Sequence, residues 1–167
     1  HELDYRFNCN SPFFVSKHDN KTIYIAGNVV FKTTDKAKTW TVISDDLTND
    51  YKDKQVITGS GWLPEYFGQE IYSTVSRMAE SPLTPGLIWT GSDDGKIFVT
   101  QNDGKTWTDV TIPGLPKYSK VYEVEASPHD AATAYIAISN YKTNDDYKPY
   151  LYKTTDYGKT WNNLSAN

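Results

Sequence analysis

Short apolar runs, each bounded by polar turn residues, follow one another along the whole chain. Residues 13–15, 22–26, 74–79, 87–90, 120–126 and 134–138 are such runs. They are too short for helices and rich in the β-branched and aromatic residues that fit a half-buried pleated surface. The middle stretch predicts four strands in succession, at about 74–80, 87–91, 96–100 and 106–110. Asp94-Gly95 falls between the second and third, and that dipeptide is a strong two-residue hairpin signal because its turn needs positive φ.

The same grouping occurs three times, each copy marked by an octamer. These are residues 33–40 (TTDKAKTW), 100–107 (TQNDGKTW) and 154–161 (TTDYGKTW). All fit Thr-x-(Asp/Asn)-x-(Gly/Ala)-Lys-Thr-Trp. Upstream, Ser16-Lys17-His18-Asp19, Ser81-Pro82-Leu83-Thr84 and Ser127-Pro128-His129-Asp130 hold matching places. Four strands per repeat, at a period near the roughly 40–50 residues of a blade, favour a β-propeller over a sandwich or barrel. The longer spacing here implies insertions between the copies.

The octamer residues suit a tight turn between the third and fourth strands. Asp35, Asn102 and Asp156 accept hydrogen bonds from nearby backbone N–H groups. Gly104 and Gly158 take positive φ without steric cost. Ala37 stands where those glycines do, so the first turn is expected to be strained or differently shaped. Thr33, Thr100 and Thr154 supply hydroxyl bonds to the turn. Trp40, Trp107 and Trp161 are expected to open the fourth strand and bury their rings between strands. One acidic or amide group per turn, repeated in each copy, describes a brace; a calcium cage needs several oxygens converging on one ion. No metal or cofactor is implied.

Composition narrows the class further. The formal net charge is −4, without the basic face a nucleic acid requires. No apolar run approaches the roughly 20 residues of a membrane span. Cys9 is the single cysteine, so no internal disulfide forms, and its aromatic neighbourhood reads as a buried small hydrophobe.

The octamers resemble the Asp-box repeats, or bacterial neuraminidase repeats, of sialidase-like and sortilin-like propellers. Asn10-Ser11-Pro12, Ile23-Tyr24, residues 40–48 (WTVISDDLT), Glu80-Ser81-Pro82, residues 113–116 (PGLP) and Lys148-Pro149-Tyr150 extend the likeness over nearly the whole chain. Together they are similar to the large bacterial sortilin-like proteins often labelled glycosyl hydrolases. Photosystem-assembly Asp-box propellers fit the flanking pattern less well. The resemblance implies a secreted, periplasmic or cell-surface location, many more blades than three, and Asp boxes on the outer rim. The chain thus reads as all-β: blades of four antiparallel strands with Asp-box turns, three blades of a larger propeller. Blade 1 covers about 11–47, an inter-blade loop about 48–72, blade 2 about 73–111 and blade 3 about 119–165. Two sheet faces are left open for the remaining blades, from the same parent chain or from others.

Candidate chemistry is sparse. A sialidase grips its substrate carboxylate with three arginines, and only Arg6 and Arg77 are present. A glycosidase pair is sought among Glu65, Glu70, Asp93, Asp94, Glu123, Glu125, Asp145 and Asp146, none of which lies in a distinctive motif. Asp93-Asp94 and Asp145-Asp146 read as solvated turn residues. His18 and His129 recur at one repeat position and so read as turn residues also. Repeat alignment sets Arg77 opposite Glu123 on first strands, with Glu125 on the same face as Glu123. They line a central channel, form an inter-blade ion pair or sit on an exposed edge. The 48–72 segment holds Trp62, Tyr66 and Phe67 among glycines, either as exposed rings for sugar or peptide or as a satellite core. The function expected is non-catalytic recognition of protein, peptide or glycan; the alternative is part of a glycoside hydrolase completed by blades outside this chain.

Overall fold

The computed structural model describes residues 5–55 and 71–165. Among these, the strands form three separate four-stranded antiparallel sheets. Blade 1 contains β1 (Phe13–Val15), β2 (Ile23–Ala26), β3 (Val30–Thr33) and β4 (Thr41–Val42). Blade 2 contains β5 (Val75–Glu80), β6 (Ile88–Ser92), β7 (Ile97–Thr100) and β8 (Thr108–Asp109). Blade 3 contains β9 (Lys120–Ala126), β10 (Ala134–Asn140), β11 (Asp146–Thr154) and β12 (Asn162–Asn163). Strand order follows chain order in every sheet. The registers Ile23↔Thr33, Ile88↔Thr100 and Ala134↔Thr154 place the first octamer threonine identically in each blade. This is the propeller-blade architecture expected from the repeats.

Burial explains why the middle blade has the most apolar sequence. β6 is buried at all five positions because blade 2 has a neighbour on both faces. β9, packed against blade 2 on one face, is buried at Val121, Val124 and Ala126 and exposed at its other positions. One core layer joins Tyr24, Ala26, Val30 and Leu47 of the blade 1 side to Val75 and Ile88, with Phe98 and Trp107 packed on it. The other joins Trp89, Ile97, Val99 and Val110 to Val124, Ala134 and Ile136, with Trp161 packed on it.

Several expectations are corrected. The fourth strands begin one residue after each octamer Trp rather than at it. Gly95 has φ 95° while Asp94 stays out of the positive-φ region, and Ser92 N–H bonds Lys96 O at 2.9 Å. The turn is therefore a three-residue loop ending in a left-handed glycine, not the two-residue hairpin. Asp93 and Asp94 are buried, not solvated, because Asn49 bonds Asp94 and Thr74 bonds Asp93. Cys9 is exposed. Beside the Asp145-Asp146 turn, α1 (Tyr141–Asn144) makes one helical turn, and Asn140 is buried.

Ala37 adopts φ 66°, close to the φ of Gly104 (82°) and Gly158 (83°). The repeat thus imposes the left-handed turn on a residue with a Cβ, a conformation costing about 1–2 kcal/mol. Ala37→Gly is expected to raise the unfolding free energy by about 1 kcal/mol, after allowing for glycine's greater entropy when unfolded. Urea denaturation measures it, and a loss of stability would refute the strain.

Candidate functional site

Antiparallel succession puts the two ends of the blades to different uses. The first-to-second and third-to-fourth strand turns lie at one end, so the Asp boxes are there. The second-to-third turns and the inter-blade connections lie at the other.

At the Asp-box end each octamer closes on itself. Thr154 Oγ1 donates to Asp156 Oδ1 at 2.8 Å and accepts from Gly158 N–H at 2.9 Å. Asp156 Oδ1 accepts from Thr160 N–H at 2.9 Å, and Oδ2 from Thr160 Oγ1 at 2.6 Å. Thr33, Asp35 and Thr39 repeat this in blade 1. In blade 2, Asn102 Oδ1 accepts from Thr106 N–H and its amide donates to Thr106 Oγ1. An amide serves where the others have carboxylates, so charge is not what the turn needs. Hydrogen bonds from Thr39 and Thr160 hold Asp35 and Asp156 down to about 2.

A cleft of about 170 Å³ lies at the seam of blades 1 and 2, lined by His18, Tyr24, Lys32, Glu80 and Asp103 among others. Its polar groups are already matched. Tyr24 Oη donates to Asp103 at 2.8 Å, and Lys32 pairs with the same carboxylate. Glu80 accepts from Lys17 N–H and Gly86 N–H, and His18 Nε2 lies 2.9 Å from Ser81 O. This is an inter-blade seam.

The opposite end is different. Arg6 is buried and threads between blades: Nη2 donates to Asp46 at 2.6 Å, Nη1 lies 3.0 Å from Asp50, and Nε donates to Ser73 O at 3.2 Å. Burial pushes the Asp50 carboxyl up, but hydrogen bonds from Gln55 and Lys52 and the Arg6 charge outweigh it and hold Asp50 below its usual range. Asn49 N–H donates to Asp94 Oδ2 at 2.8 Å. Asp93 accepts from Thr74 N–H at 2.9 Å and Thr74 Oγ1 at 3.1 Å. Burial, with the adjacent Asp94 charge adding to it, pushes Asp93 up to about 6 against those bonds.

This scaffold carries three tyrosines. Tyr51 and Tyr118 meet edge-on at 5.2 Å, and Tyr72 lies 6.4 Å from Tyr118. Lys117 Nζ sits 4.7 Å from the Tyr118 ring centre and 5.3 Å from Tyr51, and Lys54 Nζ sits 5.2 Å from Tyr118. Such cation–ring contacts order long flexible side chains. Burial raises the Tyr72 hydroxyl above its usual range, helped by Asp93 and Asp94. The backbone here is strained: Asp50 (φ 52°), Ser73 (φ 65°) and Tyr118 (φ 65°) are all left-handed without being glycine. Strain of this kind persists only where surrounding contacts impose it, and it concentrates at binding and catalytic sites.

Of the residues singled out in the sequence, Arg77 and Glu123 approach across the blade 2–blade 3 seam, with Arg77 Nε 3.6 Å from Glu123 Oε2. Arg77 also lies over the Tyr122 ring. Glu125 is exposed and stands outside that pair. Trp62, Tyr66 and Phe67 lie outside the described residues. Arg6 is already matched by carboxylates, so neither arginine offers a free clamp. The tyrosine cluster was not foreseen. Tyr51 and Tyr72 flank a segment long enough to draw notice, but no local motif marks Tyr118.

No family model matches the chain. Among curated proteins, it is 34% identical over 83 residues to the vacuolar protein sorting/targeting protein 10 of Laccaria bicolor, covering 50% of this chain and 5% of that protein. It is 30% identical over 111 residues to the oligoxyloglucan-reducing end-specific xyloglucanase of Emericella nidulans, covering 66% of this chain and 12% of that enzyme. The chain therefore spans a small part of both relatives. Among solved structures, the GH74 enzyme of Niastella koreensis aligns with 95% of this chain and 23% of its own at TM-score 0.60 and 18% identity. YCF48 bound to D1 peptide aligns with 97% and 44% at TM-score 0.55 and 16% identity. These likenesses fit the sortilin-like Asp-box propeller, of the kind labelled glycosyl hydrolase, that the octamers resemble, and the structural ones concern the fold alone.

Proposed function

We propose that this chain is a non-catalytic recognition segment of an extracytoplasmic Asp-box propeller, binding a protein, peptide or glycan through the tyrosine cluster at the end opposite the Asp boxes. The carrying observation is the convergence of Tyr51, Tyr72 and Tyr118 on a backbone strained at Asp50, Ser73 and Tyr118. Rings held by packed neighbours contribute contact area at little entropic cost, and lysines beside them orient a polar ligand. The vacuolar protein sorting/targeting protein and the xyloglucanase among the relatives support a binding surface for protein or sugar alike.

The test is capture on peptide and glycan arrays by the purified chain and by its Tyr51→Ala and Tyr118→Ala variants. Variants are expected to lose about tenfold or more in affinity, as central aromatic anchors do. Equal capture by wild type and variants places binding elsewhere.

A second reading, part of a glycoside hydrolase, is favoured by the xyloglucanase relative and by Asp93, whose raised pKa suits a proton donor. Against it, Asp93 is buried and both its oxygens are held by Thr74, so no glycosidic oxygen reaches it. Loss of polysaccharide hydrolysis by the parent protein on Asp93→Asn, with unchanged capture by the arrays, would favour this reading over the first.

A further inference from the structure

Charge is sorted at the end opposite the Asp boxes. Four carboxylates there are taken up within the fold: Asp46 and Asp50 by Arg6, Asp93 by Thr74 and Asp94 by Asn49. Lys52 pairs with Asp50. Lys54 and Lys117 are exposed and have no carboxylate within ion-pair distance among the described residues. Both ammonium groups lie against Tyr118 instead, and Lys117 reaches Tyr51 as well. Asp53 is exposed, and its charge acts on Lys117 from beyond pairing distance. A chain with a net charge of −4 thus turns two cations outward beside aromatic rings.

The turn that presents Tyr118 points the same way. Ser119 N–H donates to Pro116 O at 3.2 Å and closes a four-residue turn over 116–119. Tyr118 holds its third position at φ 65°, where a turn with positive φ at that place alone ordinarily takes glycine. Ser119 Oγ donates to Pro116 O at 2.6 Å, and Asn144 Nδ2 donates to Lys117 O at 2.9 Å, so the backbone is fixed from two sides. Glycine would make this turn without strain. The turn itself therefore has no need of the ring, which is kept against a backbone cost.

We propose that this surface takes an acidic glycan, with the C–H face of a uronic acid unit against Tyr118 or Tyr51 and its carboxylate on Lys54 or Lys117. The inference rests on the recognition reading above and narrows its ligand. Sugar C–H groups carry partial positive charge and suit the negative face of a tyrosine ring. The ammonium groups lie 4.7 to 5.3 Å from the ring centres. At that distance the charge and the stacking face belong to one unit of the ligand. A uronic acid carries its carboxylate on the very ring that stacks. An aspartate or glutamate side chain has the charge without the face, and a neutral sugar has the face without the charge.

Calorimetric titration of the protein with tetragalacturonate tests this, against its methyl ester, neutral cellotetraose and a tetraglutamate peptide. Tetragalacturonate is expected to bind about tenfold or more tightly than the other three, and less tightly as salt is raised from about 0.05 to 0.5 M. Lys54→Gln/Lys117→Gln should lose about tenfold for the acid and almost nothing for the methyl ester. Tyr118→Gly should also lose about tenfold, yet melt within about 5 °C of wild type, because relief of the left-handed strain offsets the lost ring contacts. The lysine variant keeps the test decisive if Tyr118→Gly disturbs the fold. No binding of tetragalacturonate, equal binding of its methyl ester or of tetraglutamate, or an undiminished preference in the lysine variant overturns the inference. The recognition reading survives any of these results if Tyr51→Ala still abolishes capture on the arrays. Capture that Tyr51→Ala and Tyr118→Ala leave intact overturns both.

Discussion

Trp89→Ala is expected to lower the unfolding free energy by about 3–5 kcal/mol, the usual cost of emptying a large buried site. Trp89 is fully buried on β6 and forms the floor on which Trp161 packs, at 6.3 Å and 72° between rings. Its loss opens a cavity in the layer that holds blades 2 and 3 together. Because that layer carries most of the contact between them, the unfolding transition should broaden as well as shift, the two blades ceasing to melt as one. Trp89→Phe should cost clearly less than alanine. It keeps a ring in place and removes the indole N–H, which has no hydrogen-bond partner among the described residues; leaving such a group buried costs about 1–3 kcal/mol. Trp40→Ala is the control, since Trp40 is a tryptophan too but half-exposed on an uncovered face; about 1 kcal/mol or less is expected, as for most exposed sites. Urea titration followed by far-ultraviolet circular dichroism separates the three. Equal costs for Trp89→Ala and Trp40→Ala would mean that the inter-blade layer does not stabilise the chain.

The fold was legible because its signals are local and repeated. Each octamer brings its turn, its brace and its Trp within eight residues, so three copies announce three sheets. Repeat alignment set Arg77 and Glu123 at one repeat position and left a channel, an ion pair and an exposed edge open; the folded blades bring the two to 3.6 Å across a seam, since equivalent positions on adjacent blades lie side by side. What the sequence left hidden depends on contacts between distant segments. Asp93 and Asp94 look like an ordinary polar turn; Asn49, 45 residues before Asp94, and Thr74, 19 residues before Asp93, take their carboxylates in the folded chain. Arg6 entered the sequence reading only as one of two arginines, too few for a sialidase clamp, whereas it finds a carboxylate 40 residues away at Asp46. The tyrosine cluster gathers rings from two connections, and no periodicity marks residues that converge only after the blades stack. Cys9 was misread because its aromatic neighbours in sequence face blade 1 while its own side chain faces solvent.

Two classes of aspartate give the chain opposing pH dependences, and the larger is expected from Asp93. Its folded pKa, about 6, lies above the ordinary 3.8 of an unfolded chain. A raised carboxyl pKa means the folded protein holds the proton more tightly. The stabilisation is complete below about pH 4 and is lost as pH rises through 6. The difference of about two units corresponds to a contribution on the order of 3 kcal/mol between those limits. Asp35 and Asp156 act with the opposite sign. Their folded values, about 2, lie below 3.8, so their contribution is present above about pH 4 and is lost as pH falls towards 2. Stability should therefore peak in the mildly acidic range and decline on both sides. Asp93→Asn keeps an acceptor for Thr74 N–H while removing the titrating proton, and should flatten the alkaline limb between about pH 4 and 7. Asp94, Lys120 and Tyr72 face the same group and remain in the variant. The difference between the two pH profiles therefore isolates Asp93. Thermal melts at half-unit pH intervals provide the measurement, and an unchanged slope in Asp93→Asn would show that the buried carboxyl is already ionised at acidic pH.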